Sequence, residues 1–148
     1  EICACLVGSE MCIRDRTFNT IGRHISQMAY TRVTSTKSPW LAGTQAGDMF
    51  AVPISHGEGR FVADEATLRR LAENGQIATQ YVDPDGHVAT DMPFNPNGSV
   101  WAVEGITSPD GRVLGKMGHC ERKGENLYKN VPFNKDMQIF ESGVKYFK

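Results

Sequence analysis

His119 and Glu121 stand two residues apart in Gly115-Lys116-Met117-Gly118-His119-Cys120-Glu121-Arg122. In extended backbone, side chains at i and i+2 point to the same side. That spacing lets a carboxylate hold one imidazole nitrogen while the other faces a reacting group. These are the base and the orienter of a nucleophilic triad, without its nucleophile. A solvated surface pair contains the same two residues, and spacing alone does not choose between the readings. A second polar stretch, Ser55-His56-Gly57-Glu58-Gly59-Arg60, reads as a loop whose glycines let backbone approach a ligand closely.

The cysteines do not complete that chemistry. Cys3, Cys5 and Cys12 crowd into the first twelve residues, and Cys120 stands alone. A disulfide scaffold would spread cysteines through a short secreted chain. Cys3 and Cys5 with Cys12 and His24 match no two-plus-two zinc spacing, so no metal site is expected. Cys120 lies between His119 and Glu121, and in extended backbone its sulfur points away from the face they share.

The elements that must position these residues can be read in order. Gln27–Val33 alternates as a strand rich in Tyr, Thr and Val. Ser38–Gly43 reads as a turn or short helix. Asp48–Ser55 is an apolar run of buried-strand length, in which Pro53 must sit near an end or an edge. Asp64 to Asn74 reads as a helix: Asp64 caps it, Leu68, Leu71 and Ala72 form one face, and Asn74-Gly75 stops it. Asp83-Pro84-Asp85-Gly86 and Ser108-Pro109-Asp110-Gly111 are hairpin turns. The first joins Gln76–Val82 to His87–Thr90, and the second joins Val100–Thr107 to Arg112–Met117. A last helix over Lys135–Phe147 follows from Met137, Phe140, Val144 and Phe147, with Asn134 as its cap. Two hairpins and one earlier apolar strand predict a mixed sheet.

The chain of 148 residues suits one domain, and 40% hydrophobic with 22% charged residues suits a globular one. Sixteen basic against seventeen acidic residues give a net charge of −1, which argues against a nucleic-acid surface. No apolar run approaches the roughly 20 residues of a membrane helix, and Ile2–Gly8 lacks the basic leader of a secretory signal. A cytoplasmic protein is expected. Residues 1–16 have no helical or strand period and read as a disordered tail unrelated to the rest. The run from Cys5 to Arg16 resembles translated sequencing-adapter sequence.

Three stretches carry a family resemblance: Pro53–Phe61, Asn95–Ser99 and Gly105–Arg122, with the closing Asn134–Phe147 in support. Together they resemble the class I glutamine amidotransferase domain of the phosphoribosylformylglycinamidine synthase family, over residues 17–148. The resemblance implies an α/β fold, a three-layer sandwich with a mixed sheet between helices, flavodoxin-like and here a partial domain. It implies that His119 and Glu121 are the last two members of a Cys-His-Glu triad. The first member belongs on a Gly-x-Cys-Asn-Gly elbow, which residues 17–148 do not contain and which is expected upstream of Thr17. Cys3 and Cys5 lack glycine on both sides. Alone, the chain is expected to be inactive.

The resemblance further implies glutamine as substrate, and a synthase domain, on the same polypeptide or in a complex, as partner. That synthase uses ATP and Mg2+ to aminate formylglycinamide ribonucleotide; no cofactor is implied in the amidotransferase domain itself. His56 and Gly57 then help form the glutamine pocket, although His56 reads equally as a histidine satisfied by its own loop. Asn95, Asn97 and Ser99 suit a tight turn better than a glutamine site. The alternative is a non-catalytic remnant that binds a partner, or a metal through its N-terminal thiols.

Overall fold

The computed structural model describes residues 16–148. The tail expected over residues 1–16 and the thiols of Cys3, Cys5 and Cys12 lie outside the described residues, apart from Arg16, which pairs with Phe61.

Strand β1 (Arg16–Thr17) pairs with β4 (Arg60–Phe61) in a small antiparallel ladder. The main sheet holds β2 (Ile25–Val33), β3 (Met49–His56), β5 (Ile77–Tyr81), β6 (Val103–Thr107) and β7 (Leu114–Lys116), in the order β3-β2-β5-β6-β7. All its ladders are antiparallel, and the parallel contact is one isolated bridge, Phe50 with Asn134. β2 pairs with β3 along nearly its whole length but meets β5 only at Thr31–Val33. The sheet therefore curls, until the chain leaving β7 reaches β3: the His119 amide donates to Pro53 O at 2.9 Å. Pro53 lies on an edge strand, as its missing donor requires.

Helix α1 (Glu65–Glu73) starts where Asp64 Oδ1 accepts the Thr67 amide at 2.7 Å, and packs Leu68 and Leu71 against Phe61, Ile77, Val103 and Ile106. Helix α2 (Ile139–Phe147) contributes Ile139 to a cluster with Val33, Phe50, Val52 and Leu114. Ile106 belongs to the first cluster, whereas Leu114, which pairs with the adjacent Thr107, belongs to the second. Cross-strand partners share a face and consecutive residues alternate, so the two helices cover opposite faces. The fold is the expected three-layer α/β sandwich.

Both expected hairpin turns are present. Gly86 and Gly111 take the left-handed backbone that closes each, with amides donating to Asp83 O and Ser108 O. Two elements differ from expectation. Residues 100–102 form a 3-10 turn with left-handed Trp101 and Ala102, because Asn95 grips the Ser99 amide and carbonyl and turns the chain there. The last helix begins at Ile139, not Lys135, and Asn134 does not cap it. Asn134 O accepts the Ala51 amide at the β3 edge, and its side chain accepts the Asp136 amide, so the backbone there is held extended.

The centre of the sheet contains an ion pair. Thr79 pairs with Gly105 but Gln80 pairs with Val103, which leaves Glu104 as the extra residue of a β-bulge. The bulge turns its side chain inward, where Lys116 Nζ meets both carboxylate oxygens at 2.8 Å and Thr79 Oγ1 donates to Oε2. Gly105 makes room: a Cβ there would come within 2.5 Å of Thr79 Oγ1 and 3.1 Å of Lys116 Cβ. Burial pushes the Glu104 carboxyl up, but Lys116, Thr79 and the Gly118 amide outweigh it and hold it below its ordinary value. Burial pushes Lys116 down, and Glu104 outweighs that in turn.

Two predictions follow from this packing. The lowered Glu104 contributes stability that is present above the ordinary carboxyl value of 4.5 and is lost as pH falls through its lowered folded value. Lys116→Met leaves that charge buried and unpaired, at a cost of about 3–5 kcal/mol near neutrality; the carboxyl then moves up, and the deficit shrinks as pH falls. Urea unfolding between neutrality and acid measures both slopes, and parallel curves for parent and variant would refute the assignment. Second, Phe140, Val144 and Phe147, each 53% exposed, form one stripe on α2. The chain is expected to self-associate with rising concentration in sedimentation velocity, and Val144→Glu to reduce that association.

Candidate active site

β7 ends at Lys116, and the chain then turns. The Gly118 amide donates to Glu104 Oε1 at 2.6 Å, the His119 amide donates to Pro53 O, and the Arg122 amide closes the turn on His119 O at 3.1 Å. This turn, and not the extended backbone expected from the sequence, brings Glu121 Oε1 to 2.7 Å from His119 Nδ1. Nδ1 carries the hydrogen toward the carboxylate. Nε2 meets no hydrogen-bond partner among the described residues, and the His119 side chain is 30% exposed. Partial burial pushes the Glu121 carboxyl up, but its own backbone amide, His119 and Arg122 outweigh it and keep it ionised. The Arg122 Nε lies 3.8 Å from the same oxygen. An imidazole held at one nitrogen by a carboxylate and open at the other is a general base with a fixed tautomer.

Cys120 points away from the pair as expected, although on a turn and not on extended backbone. Its sulfur is buried 3.6 Å from Met137 Sδ, within the cluster of Val52 and Ile139. Burial pushes the thiol up, against the pull of Lys116. It is a core residue, unavailable to His119 as a thiolate. Beside it, a cavity of about 470 Å³ is lined by Trp40, Leu114, Cys120, Glu121, Ile139 and Phe140.

His56 and Gly57 end β3 and open the following loop. Asn19, a residue the sequence reading passed over, binds that loop at three points. Its side chain donates to His56 O at 2.8 Å and accepts from the Gly59 amide at 3.0 Å, while its own amide donates to Gly57 O at 2.9 Å. The His56 ring is not satisfied by loop backbone; Nε2 lies 3.0 Å from Asn97 Oδ1. Asn97 gives its amide nitrogen to the buried Tyr81 hydroxyl at 2.8 Å, so its oxygen faces His56 and Nε2 carries the hydrogen. Burial lowers the His56 pKa despite Asn97, and the charges of His119 and His24 act in the same direction. Gly59 is packed so closely on this ring that a Cβ would overlap it. Gly57 faces open space.

Asn95 and Ser99 serve the turn: Asn95 binds both Ser99 backbone groups, and Ser99 Oγ accepts the Phe61 amide at 3.0 Å. His24 Nε2 lies 3.1 Å from Ser55 Oγ, apart from any cysteine described. Asp83, Asp85 and His87 bring ligand atoms within 4.8 Å of one another, but Asp83 is already engaged by the amides of Asp85 and His87. The residues missed by sequence reasoning are Asn19, Thr79, Tyr81 and Glu104. For Glu104 a signal existed: a Glu in the apolar run Val103–Ile106 and a Lys after Val113-Leu114, on strands joined by a hairpin turn.

Residues 14–147 match the family model of the CobB/CobQ-like glutamine amidotransferase domain. The phosphoribosylformylglycinamidine synthase subunit PurQ of Synechocystis sp. is 40% identical over 117 residues, which are 79% of this chain and 50% of that protein. The subunit of the same name from Aquifex aeolicus is 36% identical over 105 residues, 71% of this chain and 45% of that protein. The chain spans about half the length of these curated relatives. The structure of PurLQS from Thermotoga maritima superposes with a TM-score of 0.63 at 24% identity, over 90% of this chain and 52% of that one, a likeness of fold. With a family model matched along nearly its whole length, the chain belongs to the CobB/CobQ-like glutamine amidotransferase domains.

Proposed function

We propose that this chain is the base-bearing part of a glutaminase that supplies ammonia to phosphoribosylformylglycinamidine synthase in purine biosynthesis. The observation that carries the reading is the His119 imidazole, held at Nδ1 by Glu121 at 2.7 Å and open at Nε2. The relatives named PurQ support the pathway. The proposal assigns residues 17–148 to the amidotransferase domain, which Arg16 joins through its pairing with Phe61, and the residues before it to an unrelated tail.

In this reading a thiol from outside residues 16–148 gives its proton to His119 Nε2, and the resulting thiolate, kept ionised by the imidazolium, attacks the glutamine carboxamide carbon. The C–N bond of the tetrahedral intermediate breaks as His119 Nε2 gives its proton to the departing ammonia, and a thioester remains. Nε2 then takes a proton from water, whose oxygen attacks the thioester; glutamate leaves and the thiolate is restored. Glu121 holds the tautomer and offsets the imidazolium charge. His56 and Gly57 belong to the glutamine pocket. Burial keeps His56 neutral and Asn97 orients its ring, and the open space at Gly57 leaves room for a ligand against backbone. The ammonia passes to a cytoplasmic synthase partner, which holds the ATP and Mg2+; this domain needs neither.

A chimera tests the reading: residues 17–148 replace the matching half of the Synechocystis subunit, assembled with its synthase. Glutamine-driven amination is expected in the chimera and not from the present chain alone. His119→Ala should abolish it and leave amination by added ammonium intact. Glu121→Ala should weaken it less than His119→Ala, within the roughly 10²–10⁴-fold that a general base contributes. Cys120→Ser should change neither reaction. Equal loss of both reactions in His119→Ala, or loss of the glutamine reaction alone in Cys120→Ser, would refute the assignment.

A further inference from the structure

We propose that Glu104 is a positioning residue for the His119–Glu121 pair, acting through the backbone of Gly118. The inference rests on the reading of that pair as base and orienter. Glu104 touches neither imidazole nor Glu121. Its Oε1 accepts the Gly118 amide at 2.6 Å, and the next amide, His119, donates to Pro53 O at 2.9 Å. Two consecutive amides are thereby tied to two different strands: to β6 through a side chain, and to β3 through a carbonyl. Fixing two consecutive peptide planes sets the backbone dihedrals of Gly118 between them, and with them the heading of the chain from which the His119 side chain leaves.

The sequence around the contact is shaped for it. Gly118 allows the close approach, because a Cβ there would come within 2.6 Å of Val52 Cγ2 and 2.9 Å of Glu104 Oε1. A neutral acceptor could also receive the amide, but a carboxylate recruits further donors that hold it still. Lys116 binds both oxygens at 2.8 Å and Thr79 binds Oε2. Lys116 is the last residue of β7, two before Gly118, so one carboxylate grips the end of the strand and the start of the turn. The turn closes three residues on, with Arg122 N on His119 O, and delivers Glu121 to Nδ1. A purely structural ion pair would need Lys116 and Thr79 alone. The Gly118 contact connects it to the chemistry.

Nitrogen-15 NMR of the His119 ring in the full chain separates the two roles, since it reads which ring nitrogen carries hydrogen. Glu104→Met with Lys116→Met removes both charges and the acceptor while keeping volume, a replacement that buried ion pairs commonly tolerate. Glu104→Gln with Lys116→Met is also neutral but keeps a carbonyl oxygen for Gly118. The first double variant is expected to lose the Nδ1–H form in favour of the mixture typical of free histidine, and the second to retain it. Thr79→Val, which leaves the acceptor in place, should retain it too. A folded Met/Met variant with the parent's His119 signals would overturn the proposal. If that variant does not fold, the unaltered chain decides. The Gly118 amide should exchange slowly and resonate downfield, and exchange as fast as that of the exposed Lys123 would overturn the proposal. The NMR reads pairing and not turnover, so absence of glutamine-dependent activity in the chimera would leave its outcome unaffected.

Discussion

A carboxylate taken out of water is stable as an ion only when donors surround it, because desolvation alone costs several kcal/mol. Glu104 meets that condition with three kinds of donor: an ammonium, a hydroxyl and a backbone amide. Each comes from a different place in the chain, and each place is thereby fixed. Thr79 ties in β5, Lys116 ties in β7, and Gly118 ties in the turn beyond. The bulge in β6 that turns Glu104 inward, and the missing side chains at Gly105 and Gly118, exist in the fold as conditions of that one contact. The rest of the sheet packs by apolar area, which is tolerant of small displacement. The interaction at Glu104 is directional, and it sits one residue from the histidine that faces solvent.

Two polar clusters flank that centre and differ in how completely they are satisfied. His56, Asn97 and Tyr81 form a chain directed inward, with the His56 imidazole kept neutral by burial. The loop carrying His56 and Gly57 is clamped by Asn19, so this cluster is rigid. His119 is the opposite case. Its Nδ1 is committed to Glu121, its backbone is committed to Pro53 and Arg122, and its Nε2 is left open. A histidine with every group but one occupied is suited to moving a proton at that one group. Cys120 adds a useful contrast: only one residue away in sequence, it is packed against Met137 and Ile139 and takes no part.

Much of this was legible in the sequence. Asp64, Leu68 and Leu71 define α1 by capping and period, and the two Pro-Asp-Gly turns define their hairpins, because those signals are local. Pro53 announces an edge because proline cannot donate. The start of α2 was not legible, because the bond between Asn134 O and Ala51 N is a tertiary contact that overrides the apolar period around Met137. Nor was the backbone of the dyad. An i, i+2 spacing suggests a strand, whereas the structure brings His119 and Glu121 together on a turn set by Pro53, some sixty-six residues earlier in the chain. Glu104 was legible only as a carboxylate in an apolar run: its inward direction depends on a bulge, and a bulge depends on the register between β5 and β6.

The account centres on His119 serving a thiolate other than Cys120. An electrophilic glutamine analogue that alkylates an activated cysteine tests this most directly, followed by mass spectrometry of the chimera with the Synechocystis subunit. The account predicts labelling on a cysteine of the Synechocystis half, slowed strongly by His119→Ala and unchanged by Cys120→Ser. Labelling of Cys120, or labelling as fast in His119→Ala as in the parent, would contradict it.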